Sequence, residues 1–103
     1  MKTVYIFGKD KNIVESFWKN MLHNSKHDDI EKIIRNFSAM EFVKTDGTRV
    51  IAKVITHPDI IRGIRCNEIF VQKGMDVESW INMNLCLLPD PETGKYLEFQ
   101  WFE

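Results

Sequence analysis

The chain has little of several things, and each shortage removes a class of protein. No apolar run approaches the roughly 20 residues that a membrane-spanning helix needs, so no membrane partner is expected. The opening segment MKTVYIFGKDK offers one lysine and a short apolar run that stops at Gly8. That is too little for a secretion signal, and the chain is expected in the cytoplasm. Only two cysteines, Cys66 and Cys86, are present. Each lies in an apolar segment, where a free thiol behaves as a small hydrophobe, and their spacing makes no metal knuckle. None of Ser16, Ser25, Ser38 or Ser79 stands in a G-x-S-x-G elbow, and neither cysteine has a histidine close by in sequence, so no nucleophile is singled out. His23 and His27 are four apart, beside Asp28. The Glu that a helical zinc-hydrolase motif sets directly after its first histidine is Asn24 here, which favours two solvated histidines near a helix end. The pair Asp28-Asp29 reads as the acidic bias of a helix start. There is no internal repeat, linker or low-complexity tract.

What is present describes an ordinary globular chain. Its 103 residues are 44% hydrophobic and 28% charged, which bounds one domain over residues 1–103 with a single core. The net charge of −1 conceals a polarity. Residues 1–73 carry thirteen Lys or Arg against nine Asp or Glu, whereas residues 74–103 carry Lys95 against Asp76, Glu78, Asp90, Glu92, Glu98 and Glu103. Such a polarity can steer a partner, or it can be a solvated acidic end beside a neutral body.

Periodicity supplies the elements. TVYIF, residues 3–7, reads as a buried strand ending at Gly8. A helix follows, with Asn12 as N-cap, Glu15 three residues on, and Ile13, Val14, Phe17, Trp18, Met21 and Leu22 along one stripe; it should end between His23 and Ser25. In residues 28–37, Ile30, Ile33, Ile34 and Phe37 fit a helical repeat and could equally open a strand; a short helix is favoured. Thr45-Asp46-Gly47-Thr48 joins Met40–Lys44 to Arg49–Ile55 as a hairpin. Pro58 opens a helical turn and Gly63 closes it. Glu68–Val71 is a second buried strand. Asp76 caps a last helix whose Val77, Trp80, Ile81, Leu85 and Leu88 should face the core, ending at Pro89. Leu97, Phe99 and Trp101 alternate with Glu98 and Gln100 as a terminal strand. This order predicts a small α/β fold, a sheet of mixed strands with two or three packed helices, with α+β as the alternative. The first strand and the Glu68 strand should be parallel, with the hairpin and the last strand adding antiparallel edges.

The span from about Met40 to Gln72, EFVKTDGTRVIAKVITHPDIIRGIRCNEIFVQ, resembles the segment of phage terminase large subunits and related helicase-type ATPases that leads into their Walker B strand. There a polar hairpin is followed by a proline-containing turn, then RG, then an apolar strand ending in Asp-Glu. It is similar, too, to short phage proteins that carry strand, helix, RG turn and strand with no motor domain around them. The resemblance covers about a third of the chain and implies a phage-encoded protein acting in the host cytoplasm. The departures fall on the chemistry. Walker B needs one carboxylate to hold Mg²⁺ through its water shell and another to activate water; Gln72 and Lys73 stand there. A Walker A loop needs G-x-x-x-x-G-K-[ST]; Gly8-Lys9-Asp10-Lys11-Asn12 has one glycine and no G-K-[ST]. No catalysis and no cofactor are expected.

Two sets of residues remain as binding candidates. Lys9 and Lys11 flank a helix N-terminus that could hold an anion, and Arg49, Lys53, Arg62 and Arg65 could grip phosphates. Against that stand the slightly negative total charge and the lack of an aromatic series among the arginines. The other set closes the chain: Tyr96, Glu98, Phe102 and Glu103, an aromatic and acidic strand edge suited to a protein partner. In that segment Leu97, Phe99 and Trp101 are expected inside, and Tyr96 and Phe102 partly exposed. The expected function is therefore a macromolecule-binding module of the host-takeover or anti-defence inhibitor kind, docking on a host or phage protein; the alternative is a nucleotide- or nucleic-acid-binding domain derived from a motor ATPase.

Overall fold

The apolar run Thr3–Gly8 forms β1, the strand around which the rest of the fold is arranged. A computed structural model describes residues 2–35, 40–61, 63–90, 92–95 and 100–102. β1 is followed by helix α1 (Lys11–Asn24), the strands β2 (Ile30–Arg35), β3 (Met40–Lys44) and β4 (Arg49–Val54), a 3-10 turn (Pro58–Ile61), strand β5 (Glu68–Gln72), helix α2 (Val77–Cys86) and strand β6 (Gln100–Phe102). The six strands make one mixed sheet in the order β2-β3-β4-β1-β5-β6, a small α/β fold.

β1 pairs in parallel with both β4 and β5, as the sequence led us to expect for β5. The β3–β4 hairpin turns at Asp46-Gly47, where Gly47 adopts φ 91° and Lys44 N donates to Thr48 O at 2.8 Å. Two expectations about the strands are corrected. Residues 30–35 form a strand, not a helix, antiparallel to β3 at the sheet edge; a 3-10 turn at His27–Asp29 precedes it. The last strand is parallel to β5, because α2 carries the chain back along the sheet before it re-enters.

The helices cover opposite faces. α1 buries Val14 and Trp18 on Val4, Ile6, Phe42, Val50 and Ala52, with Ile13, Phe17, Met21 and Leu22 half-buried alongside. This is the stripe the sequence showed. Its N-cap is Asp10, two residues earlier than the expected Asn12, and the Asp10 side chain makes no cap bond. α2 buries Met83 and Cys86 on Phe7, Ile61, Cys66, Ile69 and Val71.

The orientation of α2 differs from expectation. Ser79, Met83 and Cys86 are its buried positions, while Val77, Ile81, Leu85 and Leu88 are exposed. The chain just beyond the helix explains this. Leu87 bridges Cys66, Cys66 N donates to Cys86 O at 3.0 Å, and Leu88 N donates to Cys66 O at 2.6 Å. These bonds fix the rotation of the last turn, and the small Ser79 and Cys86 let that side approach the sheet. At the other end Asp76 caps α2 as expected, accepting from Ser79 N at 2.8 Å.

Candidate functional site

In an open α/β sheet, ligands settle outside the carboxyl ends of the strands, where neighbouring strands lead to opposite faces. β1 leads to α1, and β4 and β5 lead to the Pro58–Ile61 turn and α2 across the sheet. The loop Gly8–Asp10 and the end of β5 meet at that place.

Gln72 fills it. Its side chain is only 3% exposed. Its Oε1 accepts from Lys9 N at 2.8 Å and from Asp10 N at 3.1 Å, and its Nε2 donates to Asp10 Oδ2 at 2.9 Å. The loop N–H groups that would meet a phosphate are thus satisfied by an amide from the neighbouring strand. The Asp10 carboxylate held there adds a negative charge where an anion would arrive. Gly8 O accepts from Ile55 N at 2.6 Å, and Lys73 N donates to Phe102 O at 2.8 Å, so the ends of β1, β4, β5 and β6 are laced together by backbone bonds around the Gln72 amide.

The structure divides the cationic candidates. Lys9 and Lys11 are exposed at the carboxyl end of β1, and Lys9 Nζ lies 2.9 Å from where a Cβ on Gly74 would sit. Arg49 starts β4 at the opposite end of the sheet and is engaged by Glu41 on β3, through Nε at 2.6 Å. Lys53 lies beside Phe7 on β4 and is half-buried. Arg65 is exposed near the amino end of β5, with Nη1 donating to Ile64 O at 3.3 Å. Lys9 and Lys11 are separated from Arg49 and Arg65 by the length of the strands, about 20 Å for six residues. Arg62 lies outside the described residues.

Of the aromatic edge, Tyr96, Glu98 and Glu103 lie outside the described residues. Phe102 is corrected: it is 7% exposed and its ring stacks on Phe17 at 4.2 Å. Trp101, expected inside, is 51% exposed and stacks on Trp80 at 4.8 Å. Strand parity accounts for the exchange. Phe102 pairs with Gln72 and points with it and Phe70 toward α1, which turns Trp101 to the α2 face at the open sheet edge.

The outward face of α2 is the feature that sequence reasoning missed. Val77 is 74%, Ile81 53% and Leu85 72% exposed, and a four-residue spacing sets them on one stripe. Leu88, two residues beyond the helix, is exposed as well, and Trp80, which stacks on Trp101, stands next to Ile81 in the helix. The signal was in the sequence: Ser79, Met83 and Cys86 recur at i, i+4, i+7 and define a second face that needs no large side chains.

A cleft of about 420 Å³ opens at the amino end of the sheet, lined by Lys2, Lys44, Asp46, Glu68, Asp90 and Glu92 among others. Two of its charges pair, Lys2 Nζ lying 2.8 Å from Glu68 Oε2. Among the described residues no three His, Cys, Asp or Glu side chains converge as metal ligands; His27 follows the end of α1 at Asn24 and so shares no helical face with His23. No helix of the described residues is long and apolar enough to cross a membrane.

Neither a protein-family model, nor a curated protein, nor a solved structure matches this chain.

Proposed function

We propose that this chain is a protein-binding module that works without nucleotide turnover and that docks through the outward face of α2. The observation that carries the reading is the exposed stripe Val77, Ile81 and Leu85. A helix ordinarily turns such a stripe toward a core. Here the turn is fixed the other way, and contiguous apolar surface of this kind marks interaction sites. Trp101, lying on Trp80 beside the stripe, adds the sort of large aromatic anchor that dominates binding energy at interfaces. The terminase-like span suggests a phage protein, and on that suggestion the bound protein belongs to the host or the phage.

The alternative carried by the sequence is a nucleotide or nucleic-acid binder using Lys9, Lys11, Arg62 and Arg65. Two observations weigh against it: Gln72 occupies the loop amides, and the described cations are split between the two ends of the sheet. Salt separates the readings. Paired baits, wild type and Ile81→Asp, are exposed to lysate of host cells that also express the chain, across about 50 to 200 mM salt, a range in which phosphate-driven binding weakens by orders of magnitude. The proposal predicts a protein retained across the range by wild type and lost from Ile81→Asp. Capture that ignores Ile81→Asp, or that vanishes with salt and with nuclease treatment, overturns it.

A further inference from the structure

We infer that the surface docked on the α2 face is a second copy of this chain, laid with its α2 antiparallel to the first about a two-fold axis near Ile81. The inference rests on reading that face as the docking surface and names its occupant.

The spacing is self-complementary. Val77 and Leu85 each stand four residues from Ile81, so a helix turned end for end sets Val77 against Leu85, Ile81 against Ile81 and Leu85 against Val77. A two-fold interface demands this property, since the same patch serves both sides. The charges agree. α2 has Glu78 in its first turn, with Asp76 as its cap, and no basic residue in its last turn. Arg65 directly precedes Cys66, whose N donates to Cys86 O at 3.0 Å, and so stands by the C-terminal end of the helix. Antiparallel pairing brings Glu78 of each copy toward Arg65 of the other, and it opposes the two helix dipoles favourably. A parallel pairing would set acid against acid.

The size is adequate as well. Val77, Ile81, Leu85, Leu88 and Trp101 together expose on the order of 500 Å² of side chain, near the top of the range for the largest apolar patch on a monomer. Stable specific interfaces bury about 800 Å² per partner. Asp76, Glu78, Arg65 and Asn84 are exposed as well and offer a polar rim.

Sedimentation equilibrium of the full chain tests the inference. Wild type is expected to form dimers, and Ile81→Asp to remain monomeric with an unchanged circular dichroism spectrum, since Ile81 is exposed. Glu78→Arg and Arg65→Glu should each weaken the dimer by roughly tenfold, two surface ion pairs being lost, and the double exchange should restore it. A monomeric wild type overturns the inference, and so does a dimer indifferent to Ile81→Asp. If wild type is monomeric while Ile81→Asp still loses a captured host protein, the occupant is wrong and the docking face stands. If neither experiment responds to Ile81→Asp, both fall.

Discussion

Gln72 crosses the loop after β1 so closely that a Cβ built on Gly8 would lie 2.6 Å from its Oε1. The same Cβ would overlap Val14 Cγ2 at the start of α1. Gly8 is therefore held by lack of space and not by an unusual backbone angle, since it is absent from the glycines with positive φ. Gly8→Ala should destabilise the fold by about 1–3 kcal/mol, the usual range for overpacking a filled site. A chemical denaturation midpoint unchanged from wild type would show that the Gln72 amide and Val14 move aside freely.

Replacing Gln72 by leucine should cost about 1–3 kcal/mol, because the N–H groups of Lys9 and Asp10 lose their acceptor inside the structure. Gln72→Glu is the more telling change. It sets a carboxylate against Asp10 Oδ2, now 2.9 Å from the Gln72 Nε2, and like charges at that distance raise a carboxyl pKa. A raised folded pKa means that the variant is most stable below the ordinary carboxyl value and loses stability as pH rises through the folded one. Denaturation of Gln72→Glu against pH should show that fall, and wild type should not. A variant as stable as wild type at neutral pH would contradict the packing described for this loop.

These contacts also explain what the sequence could and could not disclose. β1 and β5 were legible as short apolar runs, buried on both faces of the sheet, the β3–β4 hairpin by its Asp46-Gly47 turn, and α1 by its single stripe, since Trp18 and Val14 fit only one side of a helix. Ile30, Ile33 and Ile34 satisfy both a helical and an extended pattern, and pairing with β3 decides between them. α2 is apolar on two faces, and the bonds between Cys66 and residues 86–88 choose the face. Trp101 and Phe102 sit one residue apart, so a shift of strand phase exchanges their surroundings. The Gln72 role was legible only as a missing acid. Its positive function depends on a partner loop more than sixty residues away.

The thiols offer a test of the α2 packing. Burial pushes the Cys66 thiol up from 9.0 to about 12, with Cys86 adding to the rise, and burial raises Cys86 too while Arg65 opposes it. Both thiols should react with a thiol reagent at neutral pH only as fast as the protein opens, and at the unfolded rate in denaturant. The sign for stability follows: a raised thiol pKa leaves stability intact below 9.0 and erodes it as pH climbs toward about 12. Rapid labelling of the native protein would contradict the buried placement.

At the other end of α2, hydrogen bonds from Ser79 hold the Asp76 carboxyl below its ordinary 3.8. A lowered folded pKa contributes stability above that value, which is lost as pH falls through the lower one. Glu15 and Asp46 are lowered as well, by Lys19 and by Thr48 respectively. The useful quantity is therefore the difference between wild type and Asp76→Asn. Melting temperatures measured downward from neutral pH should converge in acid. A constant gap across the range would remove the charged cap from the account.

The claim on which the non-catalytic reading depends is that the Gln72 amide already holds the loop N–H groups a triphosphate would need. Calorimetric titration of the full chain with Mg-ATP, with released phosphate measured in the same samples, tests it most directly. The account predicts neither binding heat nor phosphate. Saturable binding that is lost on changing Lys9, or turnover of any bound ATP, would contradict it.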